Sequence, residues 1–192
     1  MSVIQVDQVG QTSLDRASKI LAGVQGGAWK AVHGAMKRAG DTAKTKAGQF
    51  AAEEYTINKG DFARNVTVST SLKGDSGGIV SMDIKYAGHV LPLLTFNTRF
   101  SRDGHITTQV KRNGGSETLQ RAFAERVFGP IGVFERKGAS RFPVEQKYGP
   151  STAHMMMNER VIEKMDETIR ETFERRIEHE ITRILNGWGA KS

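Results

Sequence analysis

The chain has 192 residues and a mass of 21.1 kDa, enough for one domain with a buried core. With 38% hydrophobic and 26% charged residues, disorder of the whole chain is excluded, and the absence of cysteine excludes disulfides, thiolate metal sites and a cysteine nucleophile. Lysine and arginine outnumber aspartate and glutamate 28 to 21, for a net charge of +7, which raises an anionic partner as a question without answering it.

Residues 14–55 read as helical. Leu14, Ala17, Leu21, Val24, Ala28, Val32, Ala35 and Ala39 recur at steps of three and four, the stripe of an amphipathic helix. Trp29, Met36, Ala43, Ala47 and Phe50 form a neighbouring stripe, and Ser13 is a plausible N-cap. Six glycines (Gly23, Gly26, Gly27, Gly34, Gly40 and Gly48) each weaken such a helix by up to ~1 kcal/mol relative to alanine. Close packing of small residues, a bend at Gly26-Gly27 and a break near Gly40-Asp41 are the alternatives, so continuity of the helix stays open.

Residues 56–148 change character. Asn65–Thr70 and Ile79–Lys85 alternate and favour β structure, with the Lys73–Gly78 turn between them, and so predict a hairpin. Leu93–Phe96 and Ile106–Lys111 are further strand candidates around an Asp103-Gly104 turn. Leu119–Val127 fits a short helix or a strand; the Gly129-Pro130 junction favours a strand pairing with Gly132–Arg136. Pro143–Lys147 is a last short extended piece.

Residues 151–187 form the clearest element. Ile162, Met165, Ile169, Phe173, Ile177, Ile181, Ile184 and Trp188 follow helical steps, with Asp166–Arg170, Glu171–Arg175 and Arg176–Glu180 as i,i+4 pairs on the other face. Ser151 or Asn158 suits the start and Asn186-Gly187 the stop. The expected fold is therefore α+β in a single domain: a mainly antiparallel sheet packed against long N-terminal and C-terminal helices.

No targeting or membrane segment is expected. MSVIQVDQVG carries no basic residue and has Asp7 where a signal core is apolar. The uncharged stretch Tyr86–Thr98 contains His89, Pro92 and Asn97 and is too short to span a bilayer.

Most chemical motifs have a plainer explanation. Gly74-Asp75-Ser76-Gly77-Gly78 matches the nucleophile segment of chymotrypsin-like proteases, but only His33 precedes it, in a helical stretch. A Gly-rich turn accounts for it better. His33, His89, His105, His154 and His179 form no ligand pair at helical spacing, and no phosphate-cradling Gly-rich loop is present. Met155-Met156-Met157 fits a lead-in to a buried helix end better than an adaptable contact surface. No catalytic residue, metal or cofactor is expected.

The basic residues say more. Lys37, Arg38, Lys44 and Lys46 cluster late in the first helical region as DNA-contact candidates, and Arg99, Arg102, Lys111 and Arg112 flank the Asp103-Gly104 turn. No recognised DNA- or RNA-binding motif accompanies them, and a solvated face is the simpler reading. Residues 1–150 carry 21 basic and 13 acidic side chains, residues 151–192 carry 7 and 8, so the excess lies outside the last helix.

One segment carries a resemblance. Gly132-Val133-Phe134-Glu135-Arg136, followed by Arg141-Phe142-Pro143-Val144-Glu145-Gln146-Lys147-Tyr148-Gly149-Pro150-Ser151, resembles the minor tail protein Z family of lambda-like phages and prophages. The broader group is the neck and tail-completion proteins of long-tailed phages. The alanine-rich Ala28–Ala52 stretch and the long last helix are similar too, so the likeness extends over essentially the whole chain. It implies a non-enzymatic virion protein at the head-proximal end of the tail. Such a protein works as a homo-oligomeric ring or plug that touches other tail or neck proteins and helps DNA pass from head to tail. It also implies assembly in the bacterial cytoplasm. Phe134, Arg136, Arg141, Pro143, Gly149, Pro150 and Ser151 are the matching positions. Gly149-Pro150 is expected to turn sharply and Ser151 to cap the last helix, while the arginines are candidates to meet a neighbouring subunit's acids. The alternative is an independent basic DNA-binding module of a prophage.

Overall fold

The structure, a computed structural model, describes residues 2–6, 11–74, 80–127 and 129–187. Its elements are β1 (Ser2–Val6), α1 (Gln11–Ile20), α2 (Gly27–Glu54), α3 (Lys59–Arg64), β2 (Thr67–Gly74), β3 (Val80–Ala87) and β4 (Val90–Pro92). Then come β5 (Asn97–Phe100), β6 (Ile106–Gln109), β7 (Glu117–Leu119), β8 (Ala122–Glu125), β9 (Gly132–Arg136), β10 (Val144–Gln146), β11 (Tyr148–Ser151), α4 (Thr152–Met155) and α5 (Glu159–Leu185). The fold is α+β, as expected. Among the described residues the strands make four small sheets rather than one, ordered β1-β3-β2, β10-β9-β8, β11-β4 and β5-β6-β7.

Contacts group the described chain into two compact units, each built from separated segments. The first comprises the described residues of 48–67 and 86–161; the second comprises 2–6, 11–47, 68–74, 80–85 and 162–187, so α2 and α5 each contribute to both.

In the second unit the expected helical region is broken once. Gly26 has φ 66°, a left-handed conformation that glycine adopts without a Cβ penalty, and it separates α1 from α2. At Gly40 the helix runs on unbroken. A Cβ there would lie 2.5 Å from Met82 Sδ, so the missing side chain is what lets β3 approach α2. Val32, Ala35, Met36, Ala39 and Ala43 are buried on α2, as the two stripes predict, whereas Trp29, placed in the second stripe, is 47% exposed in the first turn of α2 and Ala31, in neither stripe, is buried. The α5 stripe behaves the same way: Met165, Ile169, Phe173, Ile177 and Ile181 are all buried. Val24, from the expected first stripe, is exposed because it lies in the break.

The first unit holds the small sheets. Residues 93–95, expected within a strand, form a single 3-10 turn. The flanking residues Val90–Pro92 and Asn97–Phe100 are the strands. Gly104, φ 81°, makes the β5–β6 turn expected at Asp103-Gly104. Of residues 119–127, expected as one strand, Leu119 ends β7, residues 120–121 turn, and Ala122–Glu125 is β8, which pairs antiparallel with β9 across Gly129 (φ 126°) as expected. Leu93, Ile106, Ala122 and Val133 form a core cluster.

Arg112, one of the turn-flanking cations, is structural. Its backbone N–H donates to the Glu54 carbonyl (2.9 Å) and its Nε to the Ala52 carbonyl (2.6 Å), which satisfies carbonyls freed at the end of α2. Thr56 N–H donates to Val110 O at 2.9 Å beside it.

Tyr86 is fully buried, and among the described residues no group bonds its hydroxyl. Burial pushes its ionisation well above the ordinary phenol value. Tyr86→Phe should therefore keep stability within about 1 kcal/mol of the parent in urea unfolding, since no bond is lost. A loss above about 2 kcal/mol would show that the hydroxyl is bonded.

Candidate functional site

The resemblance segment forms one continuous piece of the first unit. In β9, Phe134 pairs opposite Phe123 of β8, with ring centroids 6.1 Å apart, and is 1% exposed. Its ring lies over Gly132, where a Cβ would come within 3.1 Å of Cε2. Phe134 is thus a core residue here, not an exposed contact. Gly149 has the same kind of role. A Cβ on it would lie 2.9 Å from Phe96 Cδ2 and Cζ and closer still to Cε2, and Phe96 is buried. Gly149→Ala should cost about 1–3 kcal/mol by overpacking, seen as a lower thermal midpoint; an unchanged midpoint would contradict the close contact.

The expected turn at Gly149-Pro150 is instead the strand β11, paired antiparallel with β4. The register slips between Gly149 and Ser151. Proline has no N–H to give a ladder, so Pro150 falls where the ladder is interrupted. Ser151 does cap, but on α4: its Oγ accepts from His154 N–H at 3.1 Å. Asn158 supplies the cap of α5, accepting from Arg160 N–H at 3.1 Å. Met155 and Met156 are buried in this connection and Met157 is exposed.

Arg136, Arg141 and Pro143 are the exposed members of the motif. Arg136 ends β9 opposite Val144, the first residue of β10. Its guanidinium sits 5.5 Å from the Phe123 ring centroid, within cation–π range. Arg141 lies 5.6 Å from the ring of Phe142, itself 61% exposed. The 137–143 loop is closed by Lys137 N–H donating to Pro143 O at 3.1 Å. Arg121 immediately precedes β8, whose Ala122 pairs with Glu135. Register therefore brings Arg121, Arg136, Lys137 and Arg141 to one end of the sheet. Residues 136–143 contain no acid, and the nearby Glu135 is held by Lys147 at 2.6 Å. That hydrogen bond, with help from the charges of Glu135, Glu145 and Glu117, raises the Lys147 pKa against a lesser lowering by desolvation.

The DNA-contact candidates do not form one patch. Along an α-helix Lys37, Asp41 and Lys44 share a face, whereas Lys46 lies about 180° from Lys37. Lys44 pairs with Asp41 at 2.7 Å. Lys37 and Arg38 border a shallow depression of ≈ 320 Å³ that also contains Asp41, Glu180 and Arg183. Glu180, expected to pair with Arg176 on a solvated face, is 5% exposed. It packs over Gly34, with Cδ and Oε2 3.0 Å from where a Cβ would be. Its Oε2 faces Arg183 at 2.8 Å, an ion pair without hydrogen-bond alignment. Glycine spacing on α2 was the available signal that something on α5 comes close.

The outer face of α5 is acidic. Glu163, Glu167, Glu171 and Glu174 fall within about 80° of arc. With Asp166 and Arg170 they line a shallow concavity of ≈ 560 Å³. Partial burial raises the Asp166 pKa, and Arg170 opposes the shift. Glu178 continues the stripe and pairs with Arg16 at 3.0 Å.

Other chemistry is thin. Ser76 lies outside the described residues. His33 stacks on Trp29, ring centroids 4.7 Å apart. An open hollow of ≈ 580 Å³ in the first unit is lined by both signs of charge, including Lys111, His154, Glu54 and Arg160, with Arg160 3.5 Å from Glu54. Among the described residues no group of three His, Asp or Glu could hold a metal, and no helix is long and apolar enough to cross a membrane. Compared with family models, curated proteins and solved structures, the chain matches none.

Proposed function

We propose that this chain is a non-enzymatic virion subunit that completes the head-proximal end of a phage tail. It would help join head to tail and help DNA pass into the tail. The observation that carries this reading is the Gly132–Ser151 segment with its likeness to tail-completion proteins. In this chain the segment combines scaffold residues, the buried Phe134 and the closely packed Gly149, with an exposed arginine end, Arg136 and Arg141. Tail or neck proteins and further copies of the chain are the partners this reading requires. Surfaces of opposite charge on α5 and on the β8-β9-β10 end suit an assembly protein better than a one-sided polyanion binder.

The alternative, an independent DNA-binding module, rests on Lys37, Arg38, Lys44 and Lys46. The Asp41–Lys44 pair and the opposite placement of Lys46 leave it little continuous positive surface. The deciding experiment is deletion of the coding sequence from the phage or prophage that carries it. Complete heads and unjoined or non-infective tails, restored by the gene in trans, are expected. Normal infective particles without the chain would overturn the proposal.

A further inference from the structure

We propose that copies of this chain associate head to tail, the arginine end of the β8-β9-β10 sheet of one copy seating on the acidic face of α5 of the next. This deepens the assembly reading above and rests on it for its setting. The two surfaces match in charge. Arg121, Arg136, Lys137 and Arg141 are exposed with no acid in the 136–143 loop. Glu163, Glu167, Glu171 and Glu174 face outward with a single cation, Arg170, among the residues lining their concavity.

They also match in size. From Glu163 to Glu174 the helix rises about 17 Å. Three strands measure about 10 Å between the outer two, to which side chains add. Phe142, 61% exposed beside Arg141, supplies an apolar group for the shallow concavity, whose walls are glutamate methylene stems. Arginine is suited to the task because its planar fork binds a carboxylate in two places. The donor and acceptor surfaces differ, so each copy can use both, and association propagates or closes into a ring.

The test is sedimentation velocity of the full chain and two charge-reversed variants, Lys137→Glu/Arg141→Glu and Glu167→Lys/Glu171→Lys. The first pair leaves Arg136 on Phe123, and circular dichroism checks that both variants fold. Wild type should self-associate in about 0.05 M salt and dissociate towards 0.5 M. Each variant alone should bind itself at least about tenfold more weakly, since two of the four charges on its altered surface now repel the surface they meet and the net attraction is lost. Mixed, the two variants should recover association, because in an alternating chain one contact joins the two unaltered surfaces and the other sets the two introduced glutamates against the two introduced lysines. If a reversed variant does not fold, the neutral changes Arg141→Gln and Glu171→Gln give the same comparison without rescue. Unchanged association of the variants, or no recovery on mixing, overturns the proposal. So does a monomeric wild type whose arginine end instead binds a single-stranded DNA oligonucleotide and loses it on Lys137→Glu/Arg141→Glu. The outcome is separable from the assembly reading: a chain essential to tails yet monomeric in solution would sink this interface alone.

Discussion

Replacing Phe173 with alanine should lower stability by about 3–5 kcal/mol, the range for removing a buried phenyl from a packed core. Phe173 is completely buried at the centre of the α5 stripe, with Ile169 and Ile177 on either side and each buried too. The loss has two parts, the transfer of the ring's surface and the cavity left where neighbours cannot close in. Against a total stability of 5–15 kcal/mol for ordinary proteins, a loss of this size shifts the urea midpoint strongly. Far-UV circular dichroism during urea unfolding is the measurement, because α5 and the helices of its unit dominate that signal. A variant within about 1 kcal/mol of the parent would mean that α5 is not seated on the core as described.

Gly88→Ala should cost a similar amount through the opposite fault. A Cβ on Gly88 would fall inside van der Waals contact with Thr152 Oγ1 and 2.7 Å from the Asn65 carbonyl oxygen. Those two atoms already bond to each other, Thr152 Oγ1 donating to Asn65 O at 3.0 Å, and Thr152 is fully buried. The methyl group cannot displace a backbone carbonyl cheaply, and pushing the hydroxyl aside strands a buried polar group. Overpacking at about 1–3 kcal/mol and an unmade buried hydrogen bond at about 1–3 kcal/mol put the expected loss at about 2–6 kcal/mol. Thr152→Ser on the Gly88→Ala background should not restore it, because the carbonyl clash remains. Thermal melts of the single and double variants check both statements, and a Gly88→Ala midpoint equal to the parent would contradict the contact.

Periodic elements were legible in the sequence where burial is one-sided. The α5 stripe, the α2 alanines and the β8–β9 pairing are local patterns, and local patterns survive translation into three dimensions. What was not legible depends on distant partners. β11 is a strand because β4 lies beside it, although Gly149-Pro150 reads locally as a turn. Residues 93–95 turn although their apolar run reads as a strand, since Phe96 N–H returns to Leu93 O at 3.1 Å. β1, at Ser2–Val6, adds to β3 with no strong signal of its own.

The charged surfaces divide in the same way. The neutralisation of Lys44 by Asp41 follows from i,i+3 spacing and was readable. The burial of Glu180 was not, because it depends on Gly34 across the helix pair. Arg136 and Arg141 were reached only through the family likeness. Arg121 and Lys137 join them through strand register, which no local pattern discloses.

The most direct test of the proposed role is where the chain sits in a particle. An epitope tag at the chain's end, labelled with gold and imaged by electron microscopy on purified tails, should place label at the head-proximal tip. Label absent from tails that nonetheless assemble and infect, or found only on host DNA, would contradict the proposal.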